Sequence, residues 1–396
     1  MNEQLAVLAV FIFLYSLVAG RVNRSFVSGP MIFVAAGLLM GPTLLGWFPA
    51  VEFRATLHWL ANLTLALFLF TDAANANLAT LKRASGIPAR LLLIGLPAAI
   101  ALGFIAAFYL FDVLTLYEAA MLGTMLAATD AALGKAVVTN KSVPDRIREG
   151  LNVESGLNDG LCVPVLFVFV ALELGSERDV GEGLVFELLI RELGLGLAVG
   201  VVTSGIGAWL WGFFGRLGWG SAIWAQVAPA ALAIACFAIA QSIEASGYIA
   251  AFTGGLLFGF LSKGNTEELV FAAEGIAETM ALLTWFLFGF AVVGPSFSLF
   301  SWPVLVYALL SITAIRMLPV YLSLAGSGEK PDAKLFMGWF GPRGLASIAF
   351  SIIVLEEGLA GAEFMALVVT CTVLLSLVLH GISAKPLAKR LGRRDS

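Results

Sequence analysis

Apolar stretches of about twenty residues recur along the whole chain, separated by short polar or Gly/Pro-rich breaks. A stretch of that length, coiled as an α-helix, matches the hydrocarbon thickness of a bilayer. By this criterion the sequence predicts thirteen spans, at 4–20, 26–45, 57–75, 88–111, 116–140, 146–173, 184–211, 222–244, 246–263, 267–294, 301–324, 334–356 and 361–384. The loops between them are too short for a soluble domain, so 1–396 reads as a single membrane unit. The first stretch follows Met1-Asn2-Glu3-Gln4 and precedes Arg21 and Arg24. That charge order is the reverse of a secretory leader's and predicts a retained helix.

Basic residues sort by side. With the N-terminus outside, the inner segments hold Arg21 and Arg24; Lys82, Arg83 and Arg90; Lys141, Arg146 and Arg148; Arg216; Lys263; Lys330 and Lys334; and Lys385, Lys389, Arg390, Arg393 and Arg394. These are seventeen of the 23 Lys and Arg residues, against Arg54 and Arg178 on the outer side. Basic loops stay cytoplasmic, which predicts an outer N-terminus and a cytoplasmic C-terminus.

Composition agrees. Of 396 residues, 13% are charged and 60% hydrophobic, where a soluble domain carries about a quarter charged residues. An ordinary cytoplasmic enzyme is thereby excluded. Cys162, Cys236 and Cys371 lie within apolar runs and suggest no disulfide framework, while His58 and His380 are too far apart in sequence to imply a histidine metal site. A net charge of −4 without a basic stripe excludes nucleic acid as a partner.

Thirteen spans also suggest an internal relation. If spans 1–6 recur as 8–13, partners are seven apart, an odd number, so the two halves are inverted, a recurrent plan of secondary transporters. The fold class is therefore an all-α polytopic membrane protein with inverted six-helix repeats.

Asp72, Asp130, Glu154, Asp159, Arg316 and Arg343 have no loop to occupy, and an intramembrane ionisable group is by default a functional candidate. The fifth span carries MLAATDAALGKAVV, where Thr129 and Asp130 favour a local break. The sixth carries ESGLND, which places Ser155 with Asp159 and Glu154 with Asn158 on shared faces. All are hard oxygen donors suited to Na+ or Li+. The twelfth carries GPRG at 341–344, where adjacent Gly and Pro weaken the helix. It is the repeat partner of the fifth span, so two breaks fall at equivalent places, with Asp130 and Arg343 able to neutralise the helix ends. Arg316 requires an acidic partner, assigned to Glu154. Four carboxylates against two guanidinium groups suggest a cation or proton site.

In ATD, ESGLND and GPRG, taken in this order, the chain resembles the cation/proton antiporter family and its sodium/proton exchanger (NhaP-like) branch, over essentially all thirteen spans. The resemblance implies the NhaA-like antiporter fold with two broken crossing helices. It also implies that Asp159, preceded by Asn158, is the transport carboxylate, with Thr129, Asp130, Ser155 and Asp72 in the cation and proton site. Na+ would bind at Asp130 and Asp159. Glu154–Arg316 would be the buried pair and Arg343 the charge-compensating arginine. Where the family commonly has Pro after Thr-Asp, this chain has Ala131. Similar proteins are homodimers of the cell (inner) membrane, in which 57–173 and 267–384 would form the transport bundle and 1–56 and 184–263 the dimerisation scaffold.

The expected function is electroneutral exchange of one Na+ or Li+, or K+, for one proton by alternating access, without a cofactor and without enzymatic chemistry. A cation channel with an acidic midplane is the alternative. An intramembrane aspartyl protease lacks its Gly-x-Gly-Asp signature here, and a symporter for an anionic solute would call for a surplus of basic groups.

Overall fold

A computed structural model describes residues 2–22, 25, 27–47, 54–75, 86–138, 140, 142–177, 182–262 and 266–395, and all regular structure among them is helical. Arg24, Lys82, Arg83, Lys141, Arg178 and Lys263, used above to orient the chain, lie outside the described residues. The helices are α1 (Asn2–Val22), α2 (Gly29–Met40), α3 (Arg54–Asn75), α4 (Ile87–Leu110), α5a (Leu116–Met125) and α5b (Ala131–Val138). Then follow α6 (Asp145–Glu177), α7 (182–216), α8 (Ala222–Ser242), α9 (Gly247–Leu261) and α10 (266–296). The chain ends in α11 (Trp302–Ser323), α12a (Pro331–Trp339), α12b (Leu345–Glu356) and α13 (Ala362–Asp395).

Among the described residues, eight helices are long and apolar enough to cross a membrane, and α1, α2, α9 and α12b supply shorter apolar ones. The chain is thus a polytopic membrane protein. Polar starts are capped: Thr115 Oγ1 accepts the Glu118 N–H at 3.1 Å and Glu118 returns the bond to the Thr115 N–H at 3.0 Å, opening α5a. The same Glu118 reaches across to the Gly361 N–H at 2.6 Å, where α13 begins.

Three features differ from the sequence expectation. α13 runs on to Asp395 instead of stopping near 384, because Ala384, Ala388 and Leu391 form an i, i+4, i+7 stripe that packs with Ile147, Leu151, Phe336 and Met337. α11 breaks at Thr313, and single π-turns interrupt α4, α7 and α10 at 91–95, 190–195 and 289–293.

α3 packs mainly on α9 and α10, and α10 on α2 and α8, with lighter contact from α3 to α6 and α12b. Glycine makes these seams tight: a Cβ at Gly255 or Gly259 would strike the Phe70 or Ala74 carbonyl on α3, and one at Gly289 would strike Val34 on α2. The residues at 57–75 and 267–294 thus pack chiefly on one another and on α2, α8 and α9, and more lightly on α6 and α12b. The remaining layer is α4–α6 with α11–α13.

A larger residue in this seam has nowhere to go, since overpacking a close helix contact costs about 1–3 kcal/mol. Gly255→Leu is expected to lower the melting temperature of the purified protein in detergent by several degrees. An unchanged melt would show the α3–α9 seam to be loose.

Candidate functional site

The fifth span unwinds after Met125, and residues 126–130 form a turn and irregular backbone before α5b starts at Ala131. The twelfth is likewise non-helical between Trp339 and Leu345. The two unwound segments meet, the Asp130 N–H donating to the Pro342 carbonyl at 2.7 Å.

Breaking a helix exposes N–H groups at one end and carbonyls at the other. Asp130, 6% exposed, serves two of these ends. Its Oδ1 accepts the Leu133 N–H of α5b at 3.0 Å and its Oδ2 the Leu345 N–H of α12b at 2.9 Å. The carbonyl end of α5a is met by cationic and hydroxyl donors. The Arg343 guanidinium donates to the Ala127 and Ala128 carbonyls at 2.9 and 3.2 Å, and Ser347 donates to Met125 at 2.7 Å.

Each residue of GPRG has a steric or bonding reason to be there. A Cβ at Gly341 would lie 2.9 Å from Arg316 Cζ, and one at Gly344 would lie 2.6 Å from Asp130 Cγ. Pro342 offers the carbonyl that Asp130 uses, and Arg343 closes the end of α5a.

α6 lies alongside and supplies the polar groups. Ser155 donates to the Thr129 carbonyl at 2.7 Å and lies 3.1 Å from its hydroxyl, while Asn158 Nδ2 contacts Thr129 Oγ1 at 2.5 Å. Asn158 Oδ1 also accepts the Thr129 N–H at 3.3 Å. Ser155 and Asn158 thus hold the unwound segment at Thr129. Glu154 and Arg316 form a two-pronged ion pair, 2.5 and 2.7 Å, with both residues 1% exposed. Asp159 differs from the others, for its Oδ1 is buried with no hydrogen-bond partner. Asp130, Asp72 and Glu154 all lie within electrostatic reach of it. Asp72 projects from α3, across the layer boundary, onto the space left by Gly156, where a Cβ would sit 3.4 Å from its own.

A narrow cleft runs along α5b and the first turns of α6, lined by Asp130, Gly134, Val137, Asn152, Ser155 and Pro342. Exposed Asn152 lies on its wall, and Asp130 and Ser155 border it. The Thr-Asp and Gly-Pro signals locate both breaks. Ser347, Ser376 and His380, which the structure brings to the crossing, carry no comparable signal in an apolar run.

The family model described as sodium/hydrogen exchanger, transmembrane, matches residues 7–390. The chain is 24% identical over 362 residues to the K(+)/H(+) antiporter NhaP2 of Shewanella sp. (strain ANA-3), covering 91% of this chain and 62% of that protein, so it spans under two thirds of that relative's length. To the Na(+)/H(+) antiporter NhaH of Halobacillus dabanensis it is 29% identical over 299 residues, 72% of each chain. In fold it is similar to the sodium proton antiporter MjNhaP1 of Methanocaldococcus jannaschii, with a TM-score of 0.74, 21% identity, and coverage of 96% of this chain and all of that one.

Removing one partner of a buried ion pair leaves an uncompensated charge and costs about 3–5 kcal/mol, whereas replacing both is far milder. Glu154→Gln and Arg316→Met are each expected to lower the melting temperature sharply, and the double variant to recover much of the loss. Additive losses would show that the two side chains act independently.

Proposed function

Because the chain belongs to the sodium/hydrogen exchanger family, we propose that it is a secondary active antiporter exchanging a monovalent cation, Na+, Li+ or K+, for a proton across the membrane. One observation carries the reading: Asp159 presents a buried, unbonded carboxylate oxygen beside a crossing whose other acidic groups are engaged. Such an oxygen is free to take a proton or a cation in turn. The relatives named K(+)/H(+) and Na(+)/H(+) antiporters leave both cations within the proposal.

In this mechanism Asp159 is the exchanged group, with Thr129, Ser155, Asn158, Asp130 and Asp72 completing the site. Asn158 is committed to Thr129 and carries no charge, so one carboxylate turns over per cycle and exchange is one-for-one. Loaded with a proton or a monovalent cation, the Asp159 carboxylate is neutral. Empty, it carries charge that the low-dielectric barrier resists, and this couples the two fluxes. The moving unit would be α4–α6 with α11–α13, sliding against α1–α3 and α7–α10 in a homodimer of the inner membrane. The basic loop charges orient it with the N-terminus outside, so the cleft beside α5b opens to the cytoplasm. Thirteen spans in inverted halves follow from the same counting.

Asp159→Asn is expected to abolish cation-driven proton movement, read with a pH-sensitive dye in everted vesicles, for Na+, Li+ and K+ alike. Full exchange by this variant would overturn the assignment. Planar-bilayer conductance far above a carrier's rate, without proton counterflow, would favour a channel.

In proteoliposomes an imposed membrane potential is expected to leave the wild-type exchange rate nearly unchanged. A steep voltage dependence would show that net charge moves and that the ratio is not one-for-one.

A further inference from the structure

The crossing has four helix ends, and Asp130, Arg343 and Ser347 account for three. The fourth is the carbonyl end of α12a at Trp339. We infer that His380 on α13 is a positioning residue for this end, and that with Ser376 it fixes the unwound segment 340–344 at Trp339 and Arg343. This rests on the antiport reading for its functional consequence.

The imidazole is 3% exposed, and its Nε2 lies 2.7 Å from the Trp339 carbonyl oxygen. A carbonyl only accepts, and each ring nitrogen lies beside one, Nε2 2.7 Å from the Trp339 oxygen and Nδ1 2.9 Å from the Ser376 main-chain oxygen. We assign the hydrogen to Nε2, which makes the shorter contact; Nδ1 then accepts from the Ser376 hydroxyl at 3.1 Å. That hydroxyl oxygen in turn accepts the Arg343 N–H at 2.7 Å. One continuous chain of bonds thus runs from residue 343 through Ser376 and His380, one helical turn apart on α13, to residue 339. The Trp339 indole adds a second tie, donating to Ser383 Oγ at 2.8 Å.

The other break is held in the same manner. Ser155 and Asn158, three apart on α6, clamp Thr129. In each case the helix that follows a broken helix supplies a serine and a larger polar side chain. For the twelfth span the held segment carries the Pro342 carbonyl and Arg343, the groups that set Asp130 and the end of α5a. Loosening Trp339 therefore disturbs the cation site without touching it.

The test exploits side-chain length. Glutamine places an amide N–H near the imidazole Nε2, and asparagine places one near Nδ1, short of the Trp339 carbonyl. His380→Gln and His380→Asn are reconstituted in proteoliposomes, and KM and Vmax for Na+ and K+ are measured alongside melting temperature in detergent. His380→Gln is expected to keep the wild-type KM within about twofold. His380→Asn is expected to raise it roughly tenfold, the effect of leaving one buried carbonyl unbonded. Ser376→Ala is expected to shift KM in the same direction. Equal behaviour of the Gln and Asn variants, whether both active or both impaired, would overturn the assignment. If the wild-type protein exchanges no cation, the antiport reading fails on its own. The cap is then judged by whether Asn, and not Gln, lowers the melting temperature.

Discussion

The carboxylate of Asp130 accepts N–H groups from the first turns of both α5b and α12b, and its own backbone N–H binds the Pro342 carbonyl. Each helix N-terminus carries roughly half a positive charge, so one carboxylate balances two facing ends. Without it, the two half-helices would confront each other with like partial charges in a low-dielectric interior, where such repulsion is strong. Non-helical backbone inside a membrane protein is tolerated only where its polar groups find partners, and here one side chain serves two breaks at once. The opposite ends follow the same rule with the sign reversed, Arg343 lying on the carbonyls of Ala127 and Ala128.

Geometry elsewhere is subordinate to that contact. Gly341 and Gly344 are small because the guanidinium of Arg316 and the carboxylate of Asp130 occupy the space beside them. Arg316 is held in turn by Glu154 on α6, and α6 also clamps Thr129 through Ser155 and Asn158. α5, α6, α11, α12 and α13 are thereby linked by polar bonds into one body. The opposite layer is built differently: its seams are glycine against backbone, as at Gly255 with Phe70 and Gly289 with Val34. Between a polar-bonded body and a close-packed one, Asp72 of α3 faces Gly156 of α6. Asp72 therefore belongs to one layer and Asp159 to the other, and any sliding of the layers changes the field at Asp159.

Much of this was legible in the sequence because lipid penalises every charge it contains. Asp130, Glu154, Asp159, Arg316 and Arg343 stand out from apolar runs, and Thr-Asp and Gly-Pro mark the two breaks by local backbone chemistry. The chain's membership of the exchanger family follows from those same motifs. What did not show was of two kinds. The roles of Ser155 and Asn158 depend on which backbone atoms lie opposite them, and a helical face does not report that. The allegiance of α3 and α10 rests on Gly255, Gly259 and Gly289 contacting distant segments, and single glycines in apolar helices are too common to be read. Ser376 and His380 escaped for a related reason, since their partners at Arg343 and Trp339 are 33 and 41 residues away.

Charge bookkeeping across the crossing then sets one group apart. Glu154 and Arg316 neutralise each other. Asp130 is matched by two helix N-termini, and Arg343 by the carbonyl end of α5a. Each of these groups loses a partner if its charge changes, so each belongs to the folded framework. Asp159 has no such commitment at Oδ1, and its neighbour Asn158 is uncharged. On the proposed antiport reading, a proton or a monovalent cation arriving at Asp159 changes the local charge by one unit while Oδ1 has no bond to give up. That separation, with Asp130, Glu154, Arg316 and Arg343 paired and an Asp159 oxygen left unpaired, is what the proposed exchange of a cation for a proton would require of the crossing.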